Sequence, residues 1–270
     1  MTEGGAKMAL FKCCFYSKYL SYATNVNVII PENFSWQEEE RDEKYKVLYL
    51  LHGRGDNHDS WVQNTQIAFF AQEHQIAVVM PTAEDSFYVD SVTGKRYFSY
   101  LTDELPKYLK KYFPLTDKTE DTFIAGLSMG GYGTLKIGLT YPERFAAIGI
   151  LSAAVRPDHM PDFHDNDKDR EILKDNLSRT IGEGELRDED NPYCLLKKCF
   201  RENKKLPAIF QYIGTEDFLY EMNQDFRQFL QENHVEASYE EWEGIHDWRF
   251  WNVAVEKFIN QIGKEKNNEI

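Results

Sequence analysis

Thr122-Phe123-Ile124-Ala125-Gly126-Leu127-Ser128-Met129-Gly130-Gly131, continuing as Tyr132-Gly133-Thr134-Leu135-Lys136-Ile137-Gly138-Leu139, is the stretch on which the fold turns. Its first four residues read as a short buried strand, and residues 131–139 as an apolar helix. Between them lies G-x-S-x-G, a serine at the apex of a sharp strand-to-helix turn. Such a turn needs small residues two before and two after the serine, because side chains at Gly126 and Gly130 would collide with neighbouring backbone. The hydroxyl is then lifted clear at the C-terminal edge of the sheet, beside a helix N-terminus that favours developing negative charge. A glycine-rich turn with an incidental serine is the bland alternative. Because the pentapeptide recurs by chance, the rest of the chain has to decide.

Outward from this turn, short apolar runs alternate with helical stretches, which implies an α/β fold: a mostly parallel central sheet with helices on both faces. Strands are expected at residues 11–20, 24–30, 46–51, 76–80, 122–125, 146–151, 208–213 and 238–242. Helices are expected at 62–73, 97–113, 131–139, 220–232 and 247–262, with Pro106 a discordant residue inside the second. Residues 37–46 read as a charged, solvated connection. The stretch 156–205 is charged, Asp-rich and weakly periodic; it reads as an insertion above the sheet, either a cap over a site or a surface elaboration. Without a long linker or internal repeat, residues 1–270 are read as a single domain.

Chain order strengthens the functional reading of Ser128. A serine nucleophile in this architecture is followed by an acid and then a histidine, each on a loop after a late strand. Residues 208–213 lead into Gly214-Thr215-Glu216-Asp217, and residues 238–242 into Gly244-Ile245-His246. His246 is the one histidine beyond the last strand. For the acid, Asp217 is favoured over Glu216 because it sits deeper in the loop and has the shorter side chain. It would accept the second imidazole N–H and stabilise the imidazolium formed when Ser128 is deprotonated. Acyl transfer also needs two backbone donors for an oxyanion. Met129, directly after the serine, supplies one; the loop after His52-Gly53 points to Arg54 for the other. His52 itself precedes the serine at a strand end, so its expected role is to shape that loop.

Bulk properties remove other classes. The formal net charge of −14 opposes long-range attraction to nucleic acid or an anionic lipid surface. Residues 1–10 lack the apolar run of a signal peptide, and no later run approaches the roughly 18 apolar residues of a membrane span. Cys13, Cys14, Cys194 and Cys199 follow no metal spacing and read as reduced thiols, so the expected location is the cytoplasm.

Leu50-Leu51-His52-Gly53, Asn57-His58-Asp59-Ser60-Trp61, Phe123 to Gly133, Gly214 to Tyr220 and Gly244-Ile245-His246-Asp247-Trp248 together resemble the esterase D-like group. Among its branches the chain is most similar to the bacterial tributyrin esterases, relatives of carbohydrate acetyl esterases, feruloyl esterases and S-formylglutathione hydrolases. The resemblance covers nearly the whole chain. It implies an α/β-hydrolase fold, hydrolysis of acetyl to butyryl esters, free or carried on sugars, no metal or organic cofactor, and a Ser128–His246–Asp217 triad. The implied partner is a small-molecule or carbohydrate ester, with self-association into a homo-oligomer left open. Rivals are a thioesterase, a feruloyl esterase, an acyltransferase and, remotely, a noncatalytic scaffold. Two departures stand out: Arg54 occupies a position usually apolar, and the loop glycine is Gly55 where the pattern would place one at Asp56. Trp61, Tyr88 and Trp248 are candidates for a substrate-facing aromatic wall or for core packing. Trp251, at helical spacing, is read as core.

Overall fold

A strand covered on both faces has no reason to alternate polar and apolar residues. All six residues of Ile76–Pro81 (β4) are buried, and in Lys46–Leu51 (β3) Val47 and Leu51 face one core while Leu48 and Leu50 face another. The computed structural model describes residues 8–32, 44–161 and 167–263. The remaining strands are Met8–Ser17 (β1), Tyr22–Pro31 (β2), Thr122–Leu127 (β5), Ala147–Leu151 (β6), Ala208–Gly214 (β7) and Ala237–Trp242 (β8). They form one sheet in the order β1-β2-β4-β3-β5-β6-β7-β8. β1 and β2 are an antiparallel hairpin, β2 meets β4 antiparallel, and every pairing from β4 onward is parallel. The expected mostly parallel sheet is therefore present.

Helices cover both faces. On one side lie Ser60–Asn64 (α1), Ile67–Glu73 (α2) and, last in the chain, Trp248–Gly263 (α9), which send Trp61, Phe70, Val255, Phe258 and Ile259 into the core against Leu48 and Leu50. The other side carries Tyr97–Ser99 (α3), Leu105–Tyr112 (α4), Met129–Thr140 (α5), Pro192–Arg201 (α7) and Tyr220–Glu232 (α8), around Leu109, Tyr132, Leu135, Leu196 and Phe226. Each of these buried side chains is worth roughly 1.5–3 kcal/mol relative to exposure. No helix of the described residues is long and apolar enough to cross a membrane.

Three expectations change in detail. The helix expected at 62–73 is two helices, parted at Thr65, whose backbone is extended and whose hydroxyl is spent on the Trp61 carbonyl at 2.5 Å. The helix expected at 97–113 contains a π-helical turn over Tyr100–Glu104. Pro106 explains it: proline offers no N–H to the carbonyl four residues back and its ring crowds that group. That carbonyl belongs to Thr102, and it accepts instead from Arg144 Nη1 at 2.8 Å.

The third concerns residues 156–205. Asp167–Ile181 forms α6, and α7 belongs to the layer over the sheet, its Tyr193 ring packing 5.5 Å from Phe226 and 4.7 Å from Phe229 of α8. β6 and β7 are parallel neighbours and need a crossover, which α7 supplies. The stretch is thus in good part the crossover itself, and its charged look has a structural use. Lys136 of α5 pairs with Asp190, both almost fully enclosed, and also donates to the Glu189 carbonyl at 3.0 Å. The expected connection at 37–46 lies largely outside the described residues.

Candidate active site

Ser128 joins β5 to α5 with a backbone φ of +52°, in the left-handed region that a residue bearing a Cβ enters only when its surroundings force it. Three backbone hydrogen bonds do so here. The Ser128 amide donates to Leu151 at 2.9 Å, and its carbonyl accepts from Tyr132 at 3.1 Å and Ala154 at 3.0 Å. The turn tolerates no Cβ on either side. One built on Gly126 would stand 2.5 Å from the carbonyl carbon of Gly130, and one on Gly130 would stand 2.5 Å from the Leu51 carbonyl oxygen and 2.7 Å from that of His52.

Asp217 and His246 arrive on loops after β7 and β8, and these loops are stitched together. Glu216 donates its amide to the Gly244 carbonyl at 3.0 Å, and Thr215 donates to Trp242 at 3.0 Å. The approach at Gly214 is so close that a Cβ there would overlap the Gly244 backbone. His246 spans the gap between its partners. Its Nδ1 lies 2.8 and 3.0 Å from the two carboxylate oxygens of Asp217, and its Nε2 lies 3.0 Å from Ser128 Oγ. A carboxylate can only accept, so Nδ1 carries the proton and Nε2 is left with the lone pair that faces the serine hydroxyl. Asp217 is buried and its Oδ1 also accepts from the Leu219 amide at 2.8 Å, whereas Glu216 is exposed to solvent. The imidazole is flanked by the Phe218 ring at 4.5 Å and, edge to face, by the Trp251 ring at 4.8 Å.

His52 is engaged elsewhere. Its Nε2 accepts the Ala83 N–H at 2.9 Å, which obliges Nδ1 to donate to the Gly53 carbonyl at 2.7 Å. Burial pushes its pKa down to about 4, so the ring stays neutral and holds the following loop in shape. In that loop Gly55 has φ +80°, and its amide donates to Asp85 at 2.7 Å, which accounts for glycine at this position. Arg54 is partly exposed just before it. Met129 opens α5, where the first amides of a helix find no carbonyl one turn back.

The expected aromatic wall is corrected. Trp61 and Tyr88 are fully enclosed and present no face to a substrate. Each needs a partner for its polar tip, and both find one on the strand end beneath the site. Trp61 Nε1 donates to the Leu51 carbonyl at 3.1 Å, and the Tyr88 hydroxyl donates to that of His52 at 2.8 Å. Trp248 remains partly exposed, its ring 5.1 Å from Trp61 and 5.3 Å from Trp251, each perpendicular. Phe218, Asp85 and the loop contacts of Trp251 escaped the sequence reading, which carries no signal for them.

The one group of metal-ligating side chains close enough to share an ion among the described residues is Asp158, His159 and Glu185. Arg156 already bridges its two carboxylates, at 2.8 and 2.5 Å.

The Esterase family model matches residues 17–260, the greater part of the chain. The protein belongs to this esterase family. It is 35% identical to an acetyl esterase of Caldicellulosiruptor saccharolyticus, over 95% of this chain and 99% of that one. Among solved structures, this esterase is similar to the fluorophosphonate-binding serine hydrolase F of Staphylococcus aureus, solved with substrate bound. The TM-score is 0.87 and the identity 32%, covering 96% of this chain and all of the other. An S-formylglutathione hydrolase of the same organism gives a TM-score of 0.82 at 34% identity, over 95% and 99% of the two chains. The esterase has the α/β-hydrolase fold and is an enzyme, a serine hydrolase acting on esters.

Proposed function

We propose that the protein is a carboxylesterase for short-chain acyl esters, with Ser128 as nucleophile, His246 as general base and acid, and Asp217 as the group that orients His246. The observation that carries this reading is the single imidazole placed 3.0 Å from Ser128 Oγ and 2.8 Å from Asp217. Ser128 Oγ attacks the ester carbonyl while Nε2 takes its proton. The amides of Arg54 and Met129 receive the charge that develops on the carbonyl oxygen. His246, now an imidazolium held against the Asp217 carboxylate, protonates the departing alcohol. Water attacks the acyl-serine, its proton passing to the same Nε2, which returns it to Ser128 Oγ as the acyl–oxygen bond breaks and the acid leaves. Every step uses groups of this chain. The single-domain reading of residues 1–270 and a cytoplasmic location belong to the same proposal.

The preference for acetyl to butyryl groups is supported by the relation to an acetyl esterase at 35% identity. Each methylene that fits a pocket gains about 0.8 kcal/mol, and strain takes over once the chain meets the wall. A series of p-nitrophenyl esters tests it: kcat/KM should peak between acetyl and butyryl and fall steeply by octanoyl. A profile still rising at decanoyl would refute the reading. The 34% identical S-formylglutathione hydrolase supports a second reading, a thioesterase. Matched oxygen ester and thioester of one acyl group discriminate the two, since a thioesterase would strongly prefer the sulfur leaving group.

A further inference from the structure

The base of the proposed mechanism has to do two jobs in opposite directions. It takes a proton from Ser128 and then gives one to a leaving group a few ångströms away, so its ring must neither swing out nor lose its hydrogen bond to Asp217. Two hydrogen bonds fix the imidazole within its own plane. Among the described residues, the rings packed against it are those of Phe218 and Trp251.

Trp251 is itself fastened. Its indole N–H donates to Ser152 Oγ at 3.2 Å, and its backbone amide donates to Asp247 at 3.1 Å. Ser152 is wholly buried and directly follows β6, the strand whose last carbonyl, that of Leu151, holds the Ser128 amide. It has φ +47°, a conformation kept by the hydrogen bond that its amide N–H donates to the Tyr212 carbonyl at 2.8 Å. A serine tolerated in the left-handed region, where glycine or asparagine would be easier, needs a use for its side chain. The hydrogen bond to the indole is that use. Behind Trp251 stand Trp248 and then Trp61, each perpendicular to the next, and Trp61 is tied to the Leu51 carbonyl at the start of the loop bearing Arg54. The indoles therefore connect the imidazole to the rigid ends of β6 and β3.

We propose that Trp251, fixed by its hydrogen bond to Ser152, is a positioning residue that holds the His246 ring in line between Asp217 and Ser128. The inference rests on the reading of His246 as the base.

Ser152→Ala removes one oxygen and leaves the backbone requirement unchanged. Trp251→Phe keeps a ring against His246 and loses the donor. Misplacing a reacting group by about 1 Å costs on the order of 10²-fold, and loosening one support should cost about 10-fold in kcat with KM changed less than about twofold. The double variant should lose no more than the worse single one, because both act through one hydrogen bond. The proton NMR resonance of the imidazole Nδ1–H, hydrogen-bonded to Asp217, should broaden by exchange with water in both variants, a change that a merely packing role would not produce. If Trp251→Phe does not fold, Ser152→Ala decides alone. Unchanged kcat and a sharp Nδ1–H signal in Ser152→Ala, or losses that add in the double variant, would overturn the proposal. Fluorophosphonate labelling of the same samples separates the two levels. Wild-type labelling at Ser128 with unaffected variants refutes the positioning role alone, whereas wild type unlabelled at Ser128 refutes the mechanism beneath it as well.

Discussion

Acidification from about pH 7.5 to about pH 4.5 is expected to remove about 2.5 kcal/mol of folding stability through His52 alone. The ring is almost completely buried, neutral, and committed at both nitrogens, to the Ala83 amide and the Gly53 carbonyl. Burial lowers its pKa from 6.5 to about 4. Above pH 6.5 neither the folded nor the unfolded chain protonates this histidine and its contribution is intact. As the pH falls from there towards 4, the unfolded chain takes up a proton that the folded chain refuses, and stability drains away. A gap of this width is worth roughly 3 kcal/mol in full, of which most is lost by pH 4.5. His58, also lowered by burial, acts in the same direction, so the comparison must be with a variant. His52→Gln can still offer an amide oxygen near the Ala83 N–H but cannot titrate. Urea unfolding at the two pH values would give the slopes. Wild type should lose about 2.5 kcal/mol more than His52→Gln over this interval. Equal losses in the two proteins would refute the argument, because the acid sensitivity would then lie elsewhere.

Gly130→Ala places a methyl 2.5 Å from the Leu51 carbonyl oxygen and 2.7 Å from that of His52. It is expected to cost at least 1–3 kcal/mol and to displace the loop bearing Arg54, lowering kcat about 10²-fold; thermal unfolding and steady-state kinetics measure the two. For the acid, Asp217→Asn should lower kcat by roughly 10³ to 10⁴ by favouring the wrong tautomer, while Glu216→Gln, on an exposed side chain, should stay within a few-fold of wild type. The reverse ranking in two folded variants would move the role to Glu216.

Much of this arrangement is written at strand ends. A serine between two glycines after β5, an acid after β7 and a histidine after β8 could be read from order alone, because a parallel sheet brings successive strand ends to one edge. The choice between Glu216 and Asp217 was already tilted by depth in the loop, and the hydrogen bonds to His246 are made by Asp217. Burial of loop residues was not legible. For Tyr88 and Trp61 the sequence leaves a substrate-facing wall and core packing both open, since the carbonyls that satisfy their polar tips belong to a strand end up to 36 residues away. The contact of Trp251 with Ser152 joins residues 99 apart, and no periodicity announces it. Helical spacing correctly marks Trp251 as packed but cannot say that one of its neighbours is the imidazole. The π-helical turn before Pro106 was legible only as discord, because the escape of the Thr102 carbonyl to Arg144 depends on the tertiary fold. Nor does charge reveal that α7 is a crossover, since Asp190, just before it, is paired with Lys136 inside another helix.

Ser128 is proposed as the nucleophile and His246 as its base. Mass spectrometry of the protein after brief exposure to a fluorophosphonate tests both together. Wild type should carry one adduct, on the peptide containing Ser128. Labelling should be absent in Ser128→Ala and slowed by several orders of magnitude in His246→Ala, with ester turnover falling in parallel. An adduct on a different serine, or near-native turnover by a folded Ser128→Ala protein, would contradict the account.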